Sequence, residues 1–182
     1  NFEKALNTLD IEEQNALMNF VIVGGGPTGV ELAGALAELK AHILPKDYPD
    51  LDIRRMQINI IEANDRVLSS MTMKASDAAA KSLKKMGINV WTNTRVTNYD
   101  GDKIETEGKV IQAKTLIWAA GVKGAAIMGL EKAEVVNGRL KVDEVNRVIG
   151  YANIYAAGDV AFMTTAEYPK GLPMLGSVAQ QQ

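Results

Sequence analysis

Three glycines carry the first chemistry in this sequence. Gly24, Gly26 and Gly29 stand in the spacing G-x-G-x-x-G within Gly24-Gly25-Gly26-Pro27-Thr28-Gly29. That spacing suits a turn that takes a dinucleotide pyrophosphate. Gly24 allows the tight turn, Gly26 lets the backbone approach the phosphates, and Gly29 lets a helix pack close to a strand. The N-terminus of the helix that follows would offer the anion its free N–H groups and the positive end of its dipole. The second candidate is Glu62. An acid commonly ends the second strand of such a unit about 20 residues past the glycines. Here the interval from Gly29 is longer, but the end-of-strand position decides the geometry. A carboxylate there accepts hydrogen bonds from both adenosine ribose hydroxyls and repels a 2′-phosphate. This favours NADH over NADPH, and the nearby Arg66 works against the preference. Ala119-Ala120-Gly121 is the third candidate, three small residues at a strand end that suit close backbone approach to a ligand.

These groups need elements to hold them. Phe20-Val21-Ile22-Val23 is apolar and rich in β-branched residues, so it reads as a buried strand. Val30 to Leu39 consists of good helix formers. Before them, Asn1 to Asn19 reads as two short helices, the second opened by Asp10 with Glu13 in a capping arrangement. After them, Pro45 and Pro49 break the chain in an excursion from His42 to Arg55. Gln57 to Glu62 alternates as a second strand, Lys74 to Met86 reads as a helix stopped by Gly87, and Ile88 to Thr92 reads as a third parallel strand. Asp100-Gly101 and Glu107-Gly108 then divide three short strands, Thr94–Tyr99, Lys103–Thr106 and Lys109–Gln112, into a meander where a helix could have stood. Thr115 to Trp118 returns to a buried strand. Asn137-Gly138 is a further hairpin turn, and Asn153 to Ala157 reads as a last strand, ending in Gly158-Asp159.

Composition removes several classes of function. Of 182 residues 47% are apolar, enough for a packed core. With 20 basic and 22 acidic residues, a net charge of -2 and no long basic run, nucleic acid is not an expected partner. The absence of cysteine removes disulfides, thiolate metal sites and a redox dithiol from this stretch, and the single histidine, His42, cannot build a metal site. His42 reads as a surface residue at the end of the first long helix. No apolar run reaches the ~18 residues of a spanning helix. The chain does not start with Met, so it reads as a piece of a longer protein.

Several landmarks coincide in order: the glycine turn followed by Val30-Glu31-Leu32-Ala33-Gly34, Leu44-Pro-Lys-Asp-Tyr-Pro-Asp-Leu51, Glu62 in Ile61-Glu-Ala-Asn-Asp-Arg-Val-Leu68, Trp118-Ala-Ala-Gly-Val122, and Tyr155-Ala-Ala-Gly-Asp159. Taken together the chain resembles the two-dinucleotide flavoprotein reductases of the pyridine nucleotide-disulfide oxidoreductase superfamily. Among them it is most similar to type II NADH dehydrogenase, the single-chain NADH:quinone reductase. The resemblance implies an α/β fold: a Rossmann-like NADH-binding domain with a parallel sheet and a three-stranded antiparallel meander, plus part of an FAD-binding domain. The implied division is a helical lead-in over 1–18, the NADH domain over 19–123, and the returning FAD segment over 124–182.

The resemblance also implies roles. NADH would lie across Gly24, Gly25, Gly26, Pro27, Thr28 and Gly29, with its ribose on Glu62 and with Ala120 and Gly121 nearby. Gly158 and Asp159 match the family motif that holds the FAD ribityl or phosphate region. Glu31 matches a family glutamate on the first turn of the NADH helix, near the nicotinamide, and is the one catalytic candidate. Gln181 matches a glutamine on the quinone side of the flavin, although Gly176-Ser177 replaces the usual Ala-Gln. Hydride would pass from NADH to FAD and electrons on to a quinone, in a cytoplasmic parent peripheral on the inner face of the plasma membrane. The membrane would be met only through parts outside this stretch, the fragment alone would be inactive, and self-association as a homodimer is expected. Two other readings stay open: a related FAD/NAD(P)H reductase with a disulfide, ferredoxin or peroxide acceptor, and an NAD(H)-binding module without turnover.

Overall fold

A computed structural model describes residues 1–121, 124–125 and 127–182. Val122, the end of the tryptophan landmark, and residue 123, the expected end of the NADH domain, lie outside the described residues. The chain divides into two compact units, Asn1–Ala120 and Gly121–Gln182.

The first unit opens with two short helices, α1 (Phe2–Asn7) and α2 (Ile11–Leu17). The Asp10 carboxylate caps α2 by accepting the N–H groups of Glu12 (2.9 Å) and Glu13 (3.4 Å). The reciprocal half of the expected capping box is different. The Glu13 carboxylate takes the Thr8 hydroxyl at 2.9 Å, and that hydroxyl oxygen accepts the Asp10 N–H at 3.3 Å.

Strand β1 (Asn19–Val23) then leads through the glycine turn into α3 (Pro27–His42). The buried positions of α3 are Gly29, Ala33 and Ala37, one stripe at a spacing of four that lets the helix lie close to the sheet. His42 closes α3 at the surface, 3.2 Å from Glu38. A short turn α4 (Leu44–Asp47) carries the chain to β2 (Gln57–Ile61), then come α5 (Met73–Lys85), β3 (Asn89–Trp91), the meander strands β4 (Val96–Tyr99), β5 (Lys103–Thr106) and β6 (Val110–Gln112), and β7 (Thr115–Trp118). Thr72 caps α5 and Gly87, at φ +74°, ends it.

The parallel sheet runs in the order β3-β2-β1-β7, with Ile22 opposite Ile60 and Ile117. Because β1 and β2 are central, their side chains are buried on both faces from Phe20 to Val23 and from Ile58 to Ile61, the polar Asn59 among them being hydrogen-bonded to Asn19, Asn89 and Trp91. On the helix face Ile22, Ile58 and Ile60 pack with Leu17, Ala33, Leu44, Met56 and Leu83. On the other face Val21 and Ile61 pack against Ile104 and Ala113 of the antiparallel meander β4-β5-β6. Each fully buried Val or Ile contributes on the order of 1.5–3 kcal/mol relative to exposure. The meander takes the chain from one edge of the sheet, β3, to the other, β7, so it does the work of a crossover helix.

The second unit holds β8 (Val135–Val136), β9 (Arg139–Lys141), β10 (Ala161–Phe162) and the one-turn α6 (Gly176–Ala179), with the three strands in the order β10-β9-β8. Asn137-Gly138 turns between β8 and β9 as its dipeptide predicts, both residues having positive φ. Its core is Leu140, Val142, Val148, Ala156, Ala161 and Met163. The expected strand over Asn153–Ala157 is not a strand here. Among the described residues its backbone meets only the 146–148 segment, through Val148 N–H to Ile154 O, Ala156 N–H to Asn146 O, and one bridge between Arg147 and Tyr155. Apolar, β-branched composition favours a strand only when a neighbouring ladder takes up its N–H and C=O groups.

Candidate dinucleotide site

The four parallel strands end together, and the glycine turn sits at that edge. Gly24 N–H donates to Ile61 O at 2.8 Å, extending the β1–β2 ladder by one residue, and Ala119 N–H donates to Val23 O at 2.8 Å on the other flank. Gly24 has φ +113°, and a Cβ there would stand 2.7 Å from Ala119 C and 2.8 Å from Ala120 Cα. The small residues after β7 therefore have a packing partner inside the unit, which is the glycine turn itself. A Cβ on Gly29 would lie 1.9 Å from Gly24 O, which no rotamer could relieve, so Gly29 sets the approach of α3 to the turn. Gly26 differs from both. It is the N-cap of α3, has an ordinary φ of -73°, and a Cβ on it would meet nothing within 4 Å. The open space lies where an anion would sit against the helix N-terminus. Pro27 follows as the first helical residue and has no N–H to offer an anion, so the donors of this first turn come from the residues after it, and Thr28 is exposed beside it.

Glu62 follows β2 directly and is only 9% exposed. Its Oε2 accepts the Gly25 N–H at 2.6 Å, and its Oε1 accepts the Asn64 N–H at 2.8 Å and the Asn64 side-chain amide at 2.7 Å. The Gly25 carbonyl in turn accepts the Leu68 N–H at 2.7 Å. The loop after β2 is thus tied to the glycine turn from both sides of Gly25, and a side chain at 25 would press on Glu62 Oε2 at 3.1 Å and Val67 at 3.0 Å. A carboxylate offers about four lone-pair positions. With three filled, one ribose hydroxyl fits directly, and a second requires one present donor to give way. Arg66 is turned elsewhere, donating to the carbonyls of Ser69 (2.8 Å), Met71 (3.2 Å) and Leu68 (3.4 Å).

A cavity of about 230 Å³ opens beside Glu62 on the meander face of the same edge. Ile61, Val23 and Val96 line it with apolar surface, and Trp118, Thr94 and Arg95 also line it. Trp118 donates its indole N–H to Ala120 O at 2.9 Å and is 63% exposed as a residue. Thr94 is held by its N–H to Glu62 O at 3.0 Å, so the backbone of Glu62 also positions the residues after β3. Sequence reasoning missed Asn64, Thr94 and Arg95. Asn64 carried a usable signal, an amide two residues after a strand-end acid. Arg95 carried none, because only the ladder beyond β3 brings it to the cavity.

The remaining candidates lie apart from this edge or in the second unit. Glu31 is exposed on α3, but the first turn of that helix holds no acid. Pro27 at its first position puts Glu31 at the start of the second turn, one turn further from the anion end than expected. Gly121 has φ +81° and open space around it. Gly158, at φ +75°, opens a short 3-10 turn that contains Asp159, which is exposed. Gln182 Oε1 accepts the Gly158 N–H at 2.7 Å, and Gln181 is exposed. Below the turn, Arg139 is 8% exposed and donates to Ala161 O (2.5 Å) and Leu172 O (3.1 Å). Burial pulls its guanidinium below the ordinary arginine range, and the charge of Asp159 opposes that shift.

Comparison with known families matches the model described as pyridine nucleotide-disulphide oxidoreductase over residues 3–182. The chain belongs to that family. It is 34% identical to the type II NADH:quinone oxidoreductase Ndh of Mycobacterium tuberculosis, over 88% of this chain and 37% of the relative. It is 33% identical to the external alternative NAD(P)H-ubiquinone oxidoreductase B1 of Solanum tuberosum mitochondria, over 88% of this chain and 29% of the relative. Among solved structures, NDH2 of Plasmodium falciparum in complex with NADH superimposes with a TM-score of 0.77 at 31% identity, covering 90% of this chain and 36% of that one. The chain thus spans 29–37% of the length of these relatives, and its parallel sheet with an antiparallel three-stranded companion is the Rossmann-like arrangement expected.

Proposed function

We propose that residues 19–123 are the NADH-binding part of a flavoprotein that passes hydride from NADH to FAD and electrons on to a quinone. The observation that carries this reading is the division of labour in the glycine turn. Gly24 and Gly29 are fixed by packing, whereas Gly26 faces open space at the N-terminus of α3. Beside a helix N-terminus that opening suits a pyrophosphate, whose oxygens must come close to the backbone. Glu62 supplies the acceptor for the adenosine ribose, and its charge beside an engaged Arg66 supports NADH over NADPH. The flavin and nicotinamide supply the redox chemistry when bound. The chain's own residues orient them: the turn through Gly24, Gly25, Gly26, Pro27, Thr28 and Gly29 for NADH, with Ala120 and Gly121 at its side, and Gly158 with Asp159 for FAD. Glu31 and Gln181 are proposed toward the nicotinamide and the quinone on the strength of the family likeness alone.

Quinone as acceptor is supported by relatives named as quinone or ubiquinone oxidoreductases. A peripheral place on the inner face of the plasma membrane, a role in a respiratory chain and a homodimer belong to the same proposal. No helix among the described residues is long and apolar enough to cross a membrane. The domain division at 123/124 is proposed with it.

The test is calorimetric titration of the 182-residue chain with NADH and NADPH. Saturable NADH binding with NADPH at least about tenfold weaker is expected. Absence of NADH binding, or a preference for NADPH, would overturn the reading.

A further inference from the structure

We propose that Arg95 closes over the adenine base of the dinucleotide and is a specificity-determining residue of the site, an inference that rests on the reading above. The geometry runs from Glu62 outward. If its carboxylate holds the ribose, the base on that sugar must lie within one sugar's width of it. The cavity lined by Ile61, Glu62, Val96 and Trp118 meets that condition at the same sheet edge. At about 230 Å³ it is smaller than the ~300–1,000 Å³ that houses a complete ligand, so it suits one end of a dinucleotide. The apolar surface of Val23, Ile61 and Val96 suits the flat faces of a purine.

Arg95 shares the lining of this cavity. It is exposed, and among the described residues it forms no ion pair. Arg66, in contrast, is spent on three backbone carbonyls. The position of Arg95 is not loose, because Thr94 N–H is bound to Glu62 O and Val96 begins the meander. A planar guanidinium on a fixed backbone stacks well on an aromatic base, which a lysine ammonium cannot do in the same way. One residue pair thus divides the adenosine: Glu62 reads the sugar and Arg95 covers the base.

The experiment compares the wild-type chain with Arg95→Ala and Arg95→Lys, titrated with NADH, NADPH and ADP-ribose, the last having no nicotinamide. Arg95→Ala should weaken NADH and ADP-ribose by the same factor, about tenfold, with an unchanged melting curve, since the side chain is exposed. Arg95→Lys should recover only a minor part. Unchanged NADH affinity in Arg95→Ala overturns the proposal. So does a larger loss for NADPH than for NADH, which would place a 2′-phosphate at Arg95, and so does full recovery by Lys, which would make the residue a point charge. Failure of the wild-type chain to bind NADH strikes the dinucleotide reading itself and is told apart by the first titration.

Discussion

The Glu62 carboxylate accepts the Gly25 N–H at 2.6 Å. This bond joins the acid that would read the ribose to the turn that would hold the pyrophosphate, across 37 residues of sequence. It makes the two halves of the site one mechanical unit. It also means that altering Glu62 changes the turn as well as the contact to the sugar.

Substitution at Glu62 therefore has two readouts. Glu62→Gln retains an oxygen for Asn64 but sets an amide donor against the Gly25 N–H, and about 1–3 kcal/mol of stability should be lost. Glu62→Arg removes the charge that repels a 2′-phosphate, and the ratio of NADPH to NADH affinity should rise by at least about tenfold. Thermal melts and paired titrations measure the two effects. An unchanged ratio in Glu62→Arg would show that this acid does not face the ribose.

The glycines separate packing from binding. A methyl at Gly29 meets Gly24 O at 1.9 Å, so Gly29→Ala should lower the melting temperature of the first unit by about 5–10 °C or more. A methyl at Gly26 meets no protein atom, so Gly26→Ala should fold like the wild type and bind NADH about tenfold or more weakly. If Gly26→Ala bound NADH normally, the pyrophosphate would not lie against this turn.

Acid stability provides a third check, located in the meander. Asp100 accepts the N–H groups of Asp102 (2.9 Å) and Lys103 (2.7 Å), and these bonds, that of Asp102 foremost, hold its carboxyl below the ordinary 3.8. A carboxyl depressed in the folded state stabilises the fold fully above its unfolded value. That contribution fades as pH falls below 3.8 through the folded value. Asp100→Asn keeps an acceptor without the titration, so its unfolding should depend less steeply on pH in that window. Parallel acid curves for the two proteins would refute the assignment.

The sequence by itself determined the parts whose cause is local. Alternation and β-branching placed β1, β2 and β7, Gly87 stopped α5, and the glycine pairs after Asp100 and Glu107 cut the meander, because each rests on backbone preferences of a few adjacent residues. The G-x-G-x-x-G spacing, the strand-end acid and the family likeness were legible for the same reason. The different roles of Gly24, Gly26 and Gly29 follow from that spacing too, and only the tertiary structure decided which residues they meet: Ala119 and Ala120 against Gly24, and Gly24 O against Gly29. It also decided that Arg66 is engaged while Arg95 lines the cavity, and that Gln182 meets the Gly158 turn. Asn153–Ala157 has the composition of a strand and lacks the ladder of one. In each case the deciding term is a contact between residues far apart in sequence, and such contacts exist only once the chain has folded.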